Sequence, residues 1–354
     1  MHLRDLIDLA KLRPSELSDI LRFAGEIAQN PRYYRGNCEH KIMATLFYEP
    51  STRTQLSFQA AMLRLGGRLI GFDDPDNSSV AKGESLKDTV RVISNYADVL
   101  VIRSPWEGAA LAAGLYTRCP VINAGDGGHL HPTQTLADLT TLNYTVGRLD
   151  NLTVGLCGDN KNGRTVHSLV RTLSKYKNNH FVLISTPQLS LPQYLQEEIL
   201  ANGCTVEFSD SLEKSIPALD VLYMTRIQKE RFASPEEYER QKGVFVLDKA
   251  KLDLAKPTMR VLHPLPRVDE ITVEVDDDER AAYFAQTEYG LYARMALLQR
   301  IMEHEERGVP PTLKDTHSAH CQNPRCITQK EQYLPRLFDE TEGGLCCRYC
   351  DQKL

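Results

Sequence analysis

The sequence predicts an α/β fold of two domains, each with a central parallel sheet flanked by helices, plus a small C-terminal β module. Short apolar runs alternate with amphipathic stretches through most of the chain, an order typical of parallel sheets covered by helices. A length of 354 residues accommodates two domains of ordinary size and a tail. Five of the nine cysteines lie between Cys321 and Cys350, which sets the tail apart.

Composition and charge exclude several classes of protein. With 42 basic and 47 acidic residues the chain offers no polycationic face, so we expect no nucleic-acid partner. No apolar run reaches membrane-spanning length, and Asp5 and Asp8 interrupt the N-terminal apolar residues, so we expect neither a membrane span nor a signal peptide. The other four cysteines are scattered singly, like small buried hydrophobes, which predicts a cytoplasmic protein.

Alternating elements fill the first half. The predicted helices carry apolar residues along one stripe and cover residues 14–29, 52–65, 86–93 and 131–144. The predicted strands are short and apolar and cover residues 41–47, 68–72, 98–103 and 121–124. Polar residues 73–83 predict a loop, and residues 125–128 a turn. Ligands bind beyond the carboxyl ends of such strands, where Arg53, Arg103 and His131 fall.

The turn after the first strand has the chemistry of an anion site. Pro50 cannot continue a strand ladder, and Ser51 or Thr52 is a natural helix N-cap. The free N–H groups of the first helical turn, the hydroxyls of Ser51, Thr52 and Thr54, and the Arg53 guanidinium would face one anion. An ordinary capped helix with a surface arginine is the alternative. It does not explain an arginine set among three hydroxyls, so we predict a phosphate site.

A second series of elements begins near residues 147–151. Its predicted strands cover residues 152–157, 180–185, 205–208, 220–225 and 260–262, with a helix starting at Arg164. Residues 155–159 lack the GxGxxG spacing of a dinucleotide site, so we expect no nicotinamide cofactor. Arg164 and Arg226 both fall at strand ends, and two guanidiniums suit a ligand with two carboxylates. Two surface salt-bridge arginines are the alternative.

The motifs of residues 1–306, taken in order, resemble aspartate carbamoyltransferase. That set is Ser51-Thr52-Arg53-Thr54, Lys82-Gly83-Glu84, Arg103, His131-Pro132-Thr133-Gln134, Arg164-Thr165-Val166-His167, Arg226-Ile227-Gln228 and His263-Pro264-Leu265-Pro266. The family transfers the carbamoyl group of carbamoyl phosphate to L-aspartate, a step of pyrimidine biosynthesis, without an organic cofactor. The resemblance implies a carbamoyl-phosphate-binding domain over residues 1–148, completed by a C-terminal helix over 288–307, and an aspartate-binding domain over 149–287.

The resemblance also implies roles for individual residues. Phosphate would be held by Ser51, Thr52, Arg53, Thr54 and Arg103, and the carbamoyl oxygen would receive donors from Thr54, Arg103 and His131. Gln134 would bind the carbamoyl nitrogen, and Arg164, Arg226 and Gln228 the aspartate carboxylates. The main chain at Leu265 and Pro266, joined by a cis bond, would position the amine. Lys82 and a loop serine, Ser79 in preference to Ser78, would reach a neighbouring subunit's site, which implies a homotrimer with shared active sites.

Two other functions remain as alternatives. Ornithine carbamoyltransferase shares the phosphate motif, but it typically has cysteine where this chain has Pro264, and Arg226 would repel an ornithine ammonium. A non-catalytic scaffold of the same fold has no physical need for all the cationic residues. Two stretches depart from the family pattern: Ser104-Pro105-Trp106, which we expect to lie away from the chemistry, and Asn162, which replaces an aromatic residue.

The tail is predicted to form a separate zinc-ribbon-like module over residues 316–354. Its cysteine pairs, Cys321 with Cys326 and Cys347 with Cys350, have the spacing of a tetrahedral structural Zn²⁺ site. Cys346 could replace Cys347, and His317 or His320 could displace a thiolate.

The pairs resemble the zinc domain of the aspartate carbamoyltransferase regulatory chain, so we expect the module to pack on a catalytic domain as a brace. The regulatory chain's nucleotide-binding domain has no counterpart here, and we expect no response to CTP or ATP through it. A nucleic-acid-binding ribbon is the alternative, which the acidic residues of the tail disfavour.

Overall fold

The computed structural model describes residues 4–227, 234–241, 243–303, 313–341 and 343–354. They form two compact units. The first contains the described residues of 1–11, 22–133 and 291–354, and the second contains residues 12–21 and the described residues of 134–290. Each unit has its own parallel sheet, which confirms the predicted fold class. None of the described helices has the length and apolar character needed to cross a membrane.

The sheet of the first unit has four parallel strands, in the order β2-β1-β3-β4. Their bounds are β1 (Ile42–Phe47), β2 (Arg68–Phe72), β3 (Val99–Ser104) and β4 (Val121–Asp126). Every residue of β3 and of β4 is buried, as expected for strands of a parallel sheet that is covered on both faces. The edge strand β2 lies against β1 at Gly71, where a Cβ would approach the Thr45 carbonyl oxygen to 2.1 Å. Glycine is therefore required at that position, where φ is also positive.

Five α-helices occur between the N-terminus and the end of the first series. They are α1 (Pro14–Gln29), α2 (Thr52–Arg64), α3 (Leu86–Ile93), α4 (Ala109–Gly114) and α5 (Pro132–Thr145). All but α4 were predicted. The sequence gives no sign of α4 because its alanine-rich residues are nearly all buried, so it has no polar face and no amphipathic period.

The structure corrects two other details. The polar loop over 73–83 contains two short 3-10 helices, Pro75–Asn77 and Ser79–Lys82, each capped by a side chain. Strand β4 extends two residues into the predicted turn and ends at Asp126.

The second unit repeats the arrangement with five parallel strands, in the order β7-β6-β5-β8-β9. Their bounds are β5 (Thr153–Cys157), β6 (His180–Ile184), β7 (Thr205–Ser209), β8 (Val221–Met224) and β9 (Arg260–Leu262). Along the chain the following helices are α6 (Arg164–Leu173), α7 (Gln193–Ala201), α8 (Leu212–Ser215), α9 (Pro235–Gln241), α10 (Lys249–Leu252) and α11 (Ala285–Met302). The second unit ends at Gly290, so the residues of α11 from Leu291 onward belong to the first unit. Helix α11 begins three residues before the predicted Glu288, and its predicted end at Arg307 lies outside the described residues.

The cysteine module, residues 316–354, belongs to the first unit. It consists of the short helix α12 (Ile327–Lys330) and an antiparallel pair, β10 (Phe338–Thr341) with β11 (Gly344–Cys347). Its buried residues Ile327, Leu337 and Tyr349 share one hydrophobic cluster with residues of α3, α4 and the strands of the first sheet. The module therefore packs on the domain that carries the predicted phosphate turn, as expected for a brace.

Candidate active site and metal centre

The predicted phosphate turn lies at the N-terminus of α2. Ser51 is at the N-cap position, but its side chain accepts no hydrogen bond from the first turn, and that turn holds no acidic residue. The first-turn N–H groups and the positive end of the helix dipole are thus available to an anion. Thr52 and Arg53 are exposed and Thr54 is buried. The structure therefore places all four predicted residues around one helix end.

Arg103 and His131 lie together at the carboxyl edge of the same sheet. The Arg103 guanidinium is 3.4 Å from His131 Nε2, donates to the Ala124 carbonyl oxygen at 3.2 Å, and pairs with Glu49 Oε1 at 3.0 Å. Arg103 and His131 are each at most 6% exposed. The backbone N–H of Tyr48 donates to the Arg103 carbonyl oxygen, which ties this group to the turn leading into α2. A buried guanidinium and a buried imidazole thus lie near the N-terminus of α2.

The electrostatics of this edge favour an anion. Although Arg53 is exposed as a whole, partial removal of its guanidinium from water lowers its pKa, and the charge of Arg103 lowers it further. Burial also lowers the pKa of Arg103, although Glu49 opposes the shift. Two guanidiniums that repel each other while partly removed from water would be stabilised by a phosphate bound between them. The edge is therefore built to receive negative charge.

Ser79 and Lys82 belong to the exposed 3-10 helix Ser79–Lys82. The Ser78 hydroxyl donates to the Pro75 carbonyl oxygen and accepts from Val80 N–H, so it is used in shaping the loop. This local role favours Ser79 over Ser78 as the loop serine. Within the described chain, neither Ser79 nor Lys82 has a hydrogen bond or ion pair to Arg103 or His131.

Arg164 and Arg226 occupy the carboxyl edge of the second sheet. Arg164 is the first residue of α6, and Arg226 lies two residues after β8. Strands β5 and β8 are neighbours, with Cys157 paired to Met224. The Thr225 hydroxyl accepts from Asp159 N–H at 3.0 Å, which joins the loop before α6 to the segment after β8. The start of α6, which carries Arg164, and the segment after β8, which carries Arg226, are thus joined through this hydrogen bond.

The turn Leu265–Pro266 follows β9 at the same edge, and its peptide bond is cis, as the resemblance implied. Leu265 N–H donates to His263 Nδ1 at 2.7 Å, and His263 Nε2 is 2.7 Å from Glu270 Oε1. Gln134, in the first turn of α5, donates to Asp138 at 2.8 Å. Gln228, the remaining predicted aspartate ligand, lies outside the described residues.

Four cysteines form the candidate metal centre. The Sγ atoms of Cys321, Cys326, Cys347 and Cys350 all lie within 4.8 Å of one another, and all four residues are buried. Tetrahedral Zn–S bonds of about 2.3 Å place sulfurs about 3.8 Å apart; here Cys321 and Cys350 are 3.5 Å apart, and Cys326 and Cys347 4.0 Å. Cys346 is outside the group, as are His317 and His320. The donor set therefore fits a closed tetrahedral site.

Two segments that follow active-site strands contact the cysteine module. Glu107, three residues after β3, donates its N–H to the Arg325 carbonyl oxygen and accepts from Ile327 N–H, both at 2.9 Å, so it pairs like a strand with the residues around Cys326. Lys330 lies over the ring of Trp106 at 5.9 Å. The stretch Ser104-Pro105-Trp106, which departs from the family's sequence pattern, thus belongs to the surface on which the module packs.

His129 forms the second link. It lies between Asp126 Oδ2 and Asp351 Oδ2, at 3.2 Å from each. Burial opposes its charged form, but the two carboxylates outweigh burial and raise the pKa of His129 well above 6.5. Asp126 ends β4 and Asp351 follows the candidate ligand Cys350, so a charged histidine joins the metal centre to the loop that leads into His131.

Sequence reasoning missed several residues of these sites. Glu49 lies inside the motif that drew attention, yet a lone glutamate in a turn gives no sign of pairing with a residue 54 positions away. Asp126 was assigned to an ordinary turn, and His129 was given no role. Asp159 and Asp138 left no signal, because only tertiary contact reveals which donors surround a buried carboxylate.

Models of known families match three successive stretches of the chain. The carbamoyl-phosphate-binding domain of aspartate/ornithine carbamoyltransferases matches residues 4–144, and the Asp/Orn-binding domain of that family matches residues 150–301. The metal-binding domain of the aspartate carbamoyltransferase regulatory chain matches residues 317–354. The chain therefore belongs to the aspartate/ornithine carbamoyltransferase family.

Several similar proteins are specifically aspartate carbamoyltransferases. The catalytic subunits from Clostridium novyi and Lachnoclostridium phytofermentans are 55% and 56% identical over 301 residues, covering 84% and 85% of this chain and 98% of each relative. The catalytic subunit of M. jannaschii aspartate transcarbamoylase is 46% identical with a TM-score of 0.80, over 85% of this chain and 98% of that one. Aspartate transcarbamoylase from Trypanosoma cruzi, solved in complex with N-(phosphonacetyl)-L-aspartic acid, is 38% identical with a TM-score of 0.80, over 85% and 96%.

Proposed function

We propose that this protein transfers the carbamoyl group of carbamoyl phosphate to the amine of L-aspartate, giving N-carbamoyl-L-aspartate and phosphate for pyrimidine biosynthesis. The buried pair Arg103 and His131, together with the half-buried Glu49, beside the α2 N-terminus carries the proposal. It occurs in a chain 55% identical to an aspartate carbamoyltransferase catalytic subunit.

The geometry supports a direct attack of the amine on the carbamoyl carbon. As the new C–N bond forms, negative charge grows on the carbamoyl oxygen, and Arg103, His131 and Thr54 supply donors for it. Donors fixed in a site largely removed from water are usually the largest catalytic contribution to such a transfer. As the C–O bond breaks, the departing phosphate takes up the proton that the amine loses and stays on Arg53 and the first turn of α2, with Ser51 and Thr52 beside it. Holding both substrates together supplies a further large share.

Arg164 and Arg226, with Gln228, would bind the two carboxylates of aspartate. A guanidinium forms paired hydrogen bonds with a carboxylate but repels the ammonium of ornithine. The site therefore favours aspartate as the acceptor.

Carbamoyl transfer by the purified protein, with aspartate and ornithine offered separately and CTP present or absent, tests the activity. We expect turnover with aspartate alone, indifferent to CTP. Arg53→Ala should raise the KM for carbamoyl phosphate by at least tenfold, because a charge-assisted contact to phosphate is lost. Arg64→Ala, an exposed arginine in the last turn of the same helix, is the matched control. No turnover from a folded, metal-loaded sample would favour the scaffold function instead.

The metal is proposed to be structural Zn²⁺, because four buried thiolates at these separations are its preferred closed set. The metal would hold the module's two halves together and take no part in the transfer. Metal analysis should give one zinc per chain. Cys326→Ser should lose the metal, whereas Cys346→Ser should keep it; equal loss in both would contradict the ligand assignment.

The cysteine module is proposed to be a built-in brace for the phosphate domain. In addition to its contacts with Glu107 and His129, the module supplies acceptors for two backbone N–H groups at the start of α3. Leu86 N–H donates to Glu331, and Lys87 N–H donates to the Tyr333 hydroxyl. Helix N-termini need such partners. Removal of the metal by a chelator should therefore lower the melting temperature of the phosphate domain. An unchanged melting temperature would contradict the brace.

The assembly is proposed to be a cytoplasmic homotrimer whose active sites are completed by Ser79 and Lys82 of a neighbour. The exposure of both residues on their loop supports this arrangement. Light scattering should give three chains per particle. Mixing refolded Lys82→Ala and His131→Ala chains should restore activity that neither variant has alone, because one mixed site then carries both residues. Absence of such recovery would contradict the shared site.

A further inference from the structure

A buried carboxylate lies directly behind Gln134. Asp138, one turn further along α5, is 0% exposed. Its Oδ1 accepts from Gln134 Nε2 at 2.8 Å and from Gln286 Nε2 at 2.5 Å, and its Oδ2 accepts from the Tyr223 hydroxyl at 3.0 Å. A buried carboxylate is costly unless such donors surround it. All four residues belong to the second unit.

The same carboxylate is connected to the cis turn. Gln286, held at its amide nitrogen by Asp138, accepts from His263 N–H through its oxygen at 3.1 Å. His263 in turn accepts from Leu265 N–H at 2.7 Å. The path Gln134–Asp138–Gln286–His263–Leu265 thus joins the two places where the substrates' nitrogens are proposed to bind. Each residue along it has a defined donor or acceptor role.

The chemistry of the pair Gln134–Asp138 fixes the direction of one amide. An amide side chain presents a donor on one side and an acceptor on the other, and either orientation fits the same space. A carboxylate only accepts, so Gln134 must turn its NH₂ toward Asp138. Its Oε1 is then on the opposite side of the amide, where it can accept from an NH₂ group. The carbamoyl group of carbamoyl phosphate has such a donor.

We propose that Asp138 is a positioning residue that orients the Gln134 amide so that Oε1 accepts from the carbamoyl NH₂ of the substrate. This inference rests on the proposed function. It assigns substrate discrimination to the pair: a carbamoyl group donates at this position, whereas an acetyl group in its place would offer no donor. Asp138 touches neither substrate and acts through Gln134.

The affinity for two ligands separates this role from a merely structural one. Inorganic phosphate would bind only at the N-terminus of α2, because it has no NH₂ group. Carbamoyl phosphate would bind there and would also donate from its NH₂ group to Gln134. Asp138→Ala should weaken carbamoyl phosphate binding about tenfold, the loss expected for one hydrogen bond, and leave the phosphate Kd within about twofold. In a Gln134→Ala background Asp138→Ala should add nothing, since the amide that it orients is gone.

The conservative variant gives a second, independent outcome. Asp138→Asn keeps an acceptor for Gln134 and Gln286 and can turn its NH₂ toward the Tyr223 hydroxyl, which both donates and accepts. It should fold, and its carbamoyl phosphate affinity should stay within about threefold of wild type, even if Asp138→Ala does not fold. Asp220→Asn, at the opposite end of β8 from the substrate edge, is the matched control.

Three results would overturn the proposal: parallel losses of phosphate and carbamoyl phosphate affinity in Asp138→Ala, an equal loss in the Gln134→Ala background, or a large loss in a folded Asp138→Asn. Failure of the proposed function looks different, because the wild-type protein would then bind no carbamoyl phosphate at all.

Discussion

Replacing His129 with alanine should loosen the cysteine module from the phosphate domain. The imidazolium bridges Asp126 and Asp351, residues of two segments that are otherwise distant in sequence. His180→Ala is the matched control, because His180 also lies between an oxygen of Thr205 and the carboxylate of Glu207, but its side chain in the second sheet is 34% exposed. Both variants remove one histidine and two polar contacts.

The magnitude follows from burial. The side chains of His129 and Asp126 are 12% and 2% exposed, whereas that of Asp351 is 29% exposed. A hydrogen bond between charged groups contributes about 1.5–3 kcal/mol when buried. Asp126 keeps the N–H groups of Gly108 and Leu130 as donors, and water can reach Asp351, so the loss should lie near the lower end. About 2 kcal/mol corresponds to roughly a 30-fold rise in opening of the module.

Hydrogen exchange at two amides reads this opening directly. Glu107 N–H donates to Arg325, and Ile327 N–H donates to Glu107, so both amides exchange only when the module separates from the domain. In His129→Ala both should exchange about 30-fold faster, with Val182 N–H in the second sheet unchanged. Equal protection of Glu107 and Ile327 in wild type and His129→Ala, or an equal loss in His180→Ala, would refute the reasoning.

Three further outcomes are expected. The folded-state pKa of His129 is raised above 6.5, so its contribution to stability is complete below pH 6.5 and is lost as the pH rises through the raised pKa. The melting temperature of wild type should therefore approach that of His129→Ala in alkaline buffer. A difference in melting temperature that stays constant with pH would contradict this. Gly108→Ala should destabilise the module by about 2 kcal/mol or more, because the new Cβ would lie 2.5 Å from the Tyr349 carbonyl oxygen at a residue whose φ is positive. Urea unfolding measures this loss, and an unchanged urea midpoint would contradict the prediction. Glu49→Gln should lower kcat about tenfold, because Arg103 is then held less firmly. It should not weaken phosphate binding, since it removes a negative charge from an anion site. A weaker phosphate affinity would contradict this.

Much of the fold followed from local chemistry. The helices and strands around the phosphate turn have a clear 3.6-residue or short apolar pattern, so their bounds could be predicted closely. Helix α4 could not, since a segment buried on all sides has no amphipathic period. The loop over 73–83 was predicted from its polarity, but its 3-10 turns depend on which serine or aspartate caps which amide.

The candidate sites divide in the same way. Residue types at strand ends, together with their order along the chain, predicted the anion-binding turn, the arginines and the four thiolates. The choice of Cys347 over Cys346 needed the register of β11, because neighbouring strand residues point to opposite faces. Partners far apart in sequence were invisible: Glu49 with Arg103, Gln286 with Asp138, and Asp351 with His129, 222 positions away. The sequence by itself determined which side chains can bind phosphate, carboxylates and a metal, since that is a property of each residue. Only the tertiary structure decided which charges meet, because contact between distant residues depends on how the sheets and the module pack.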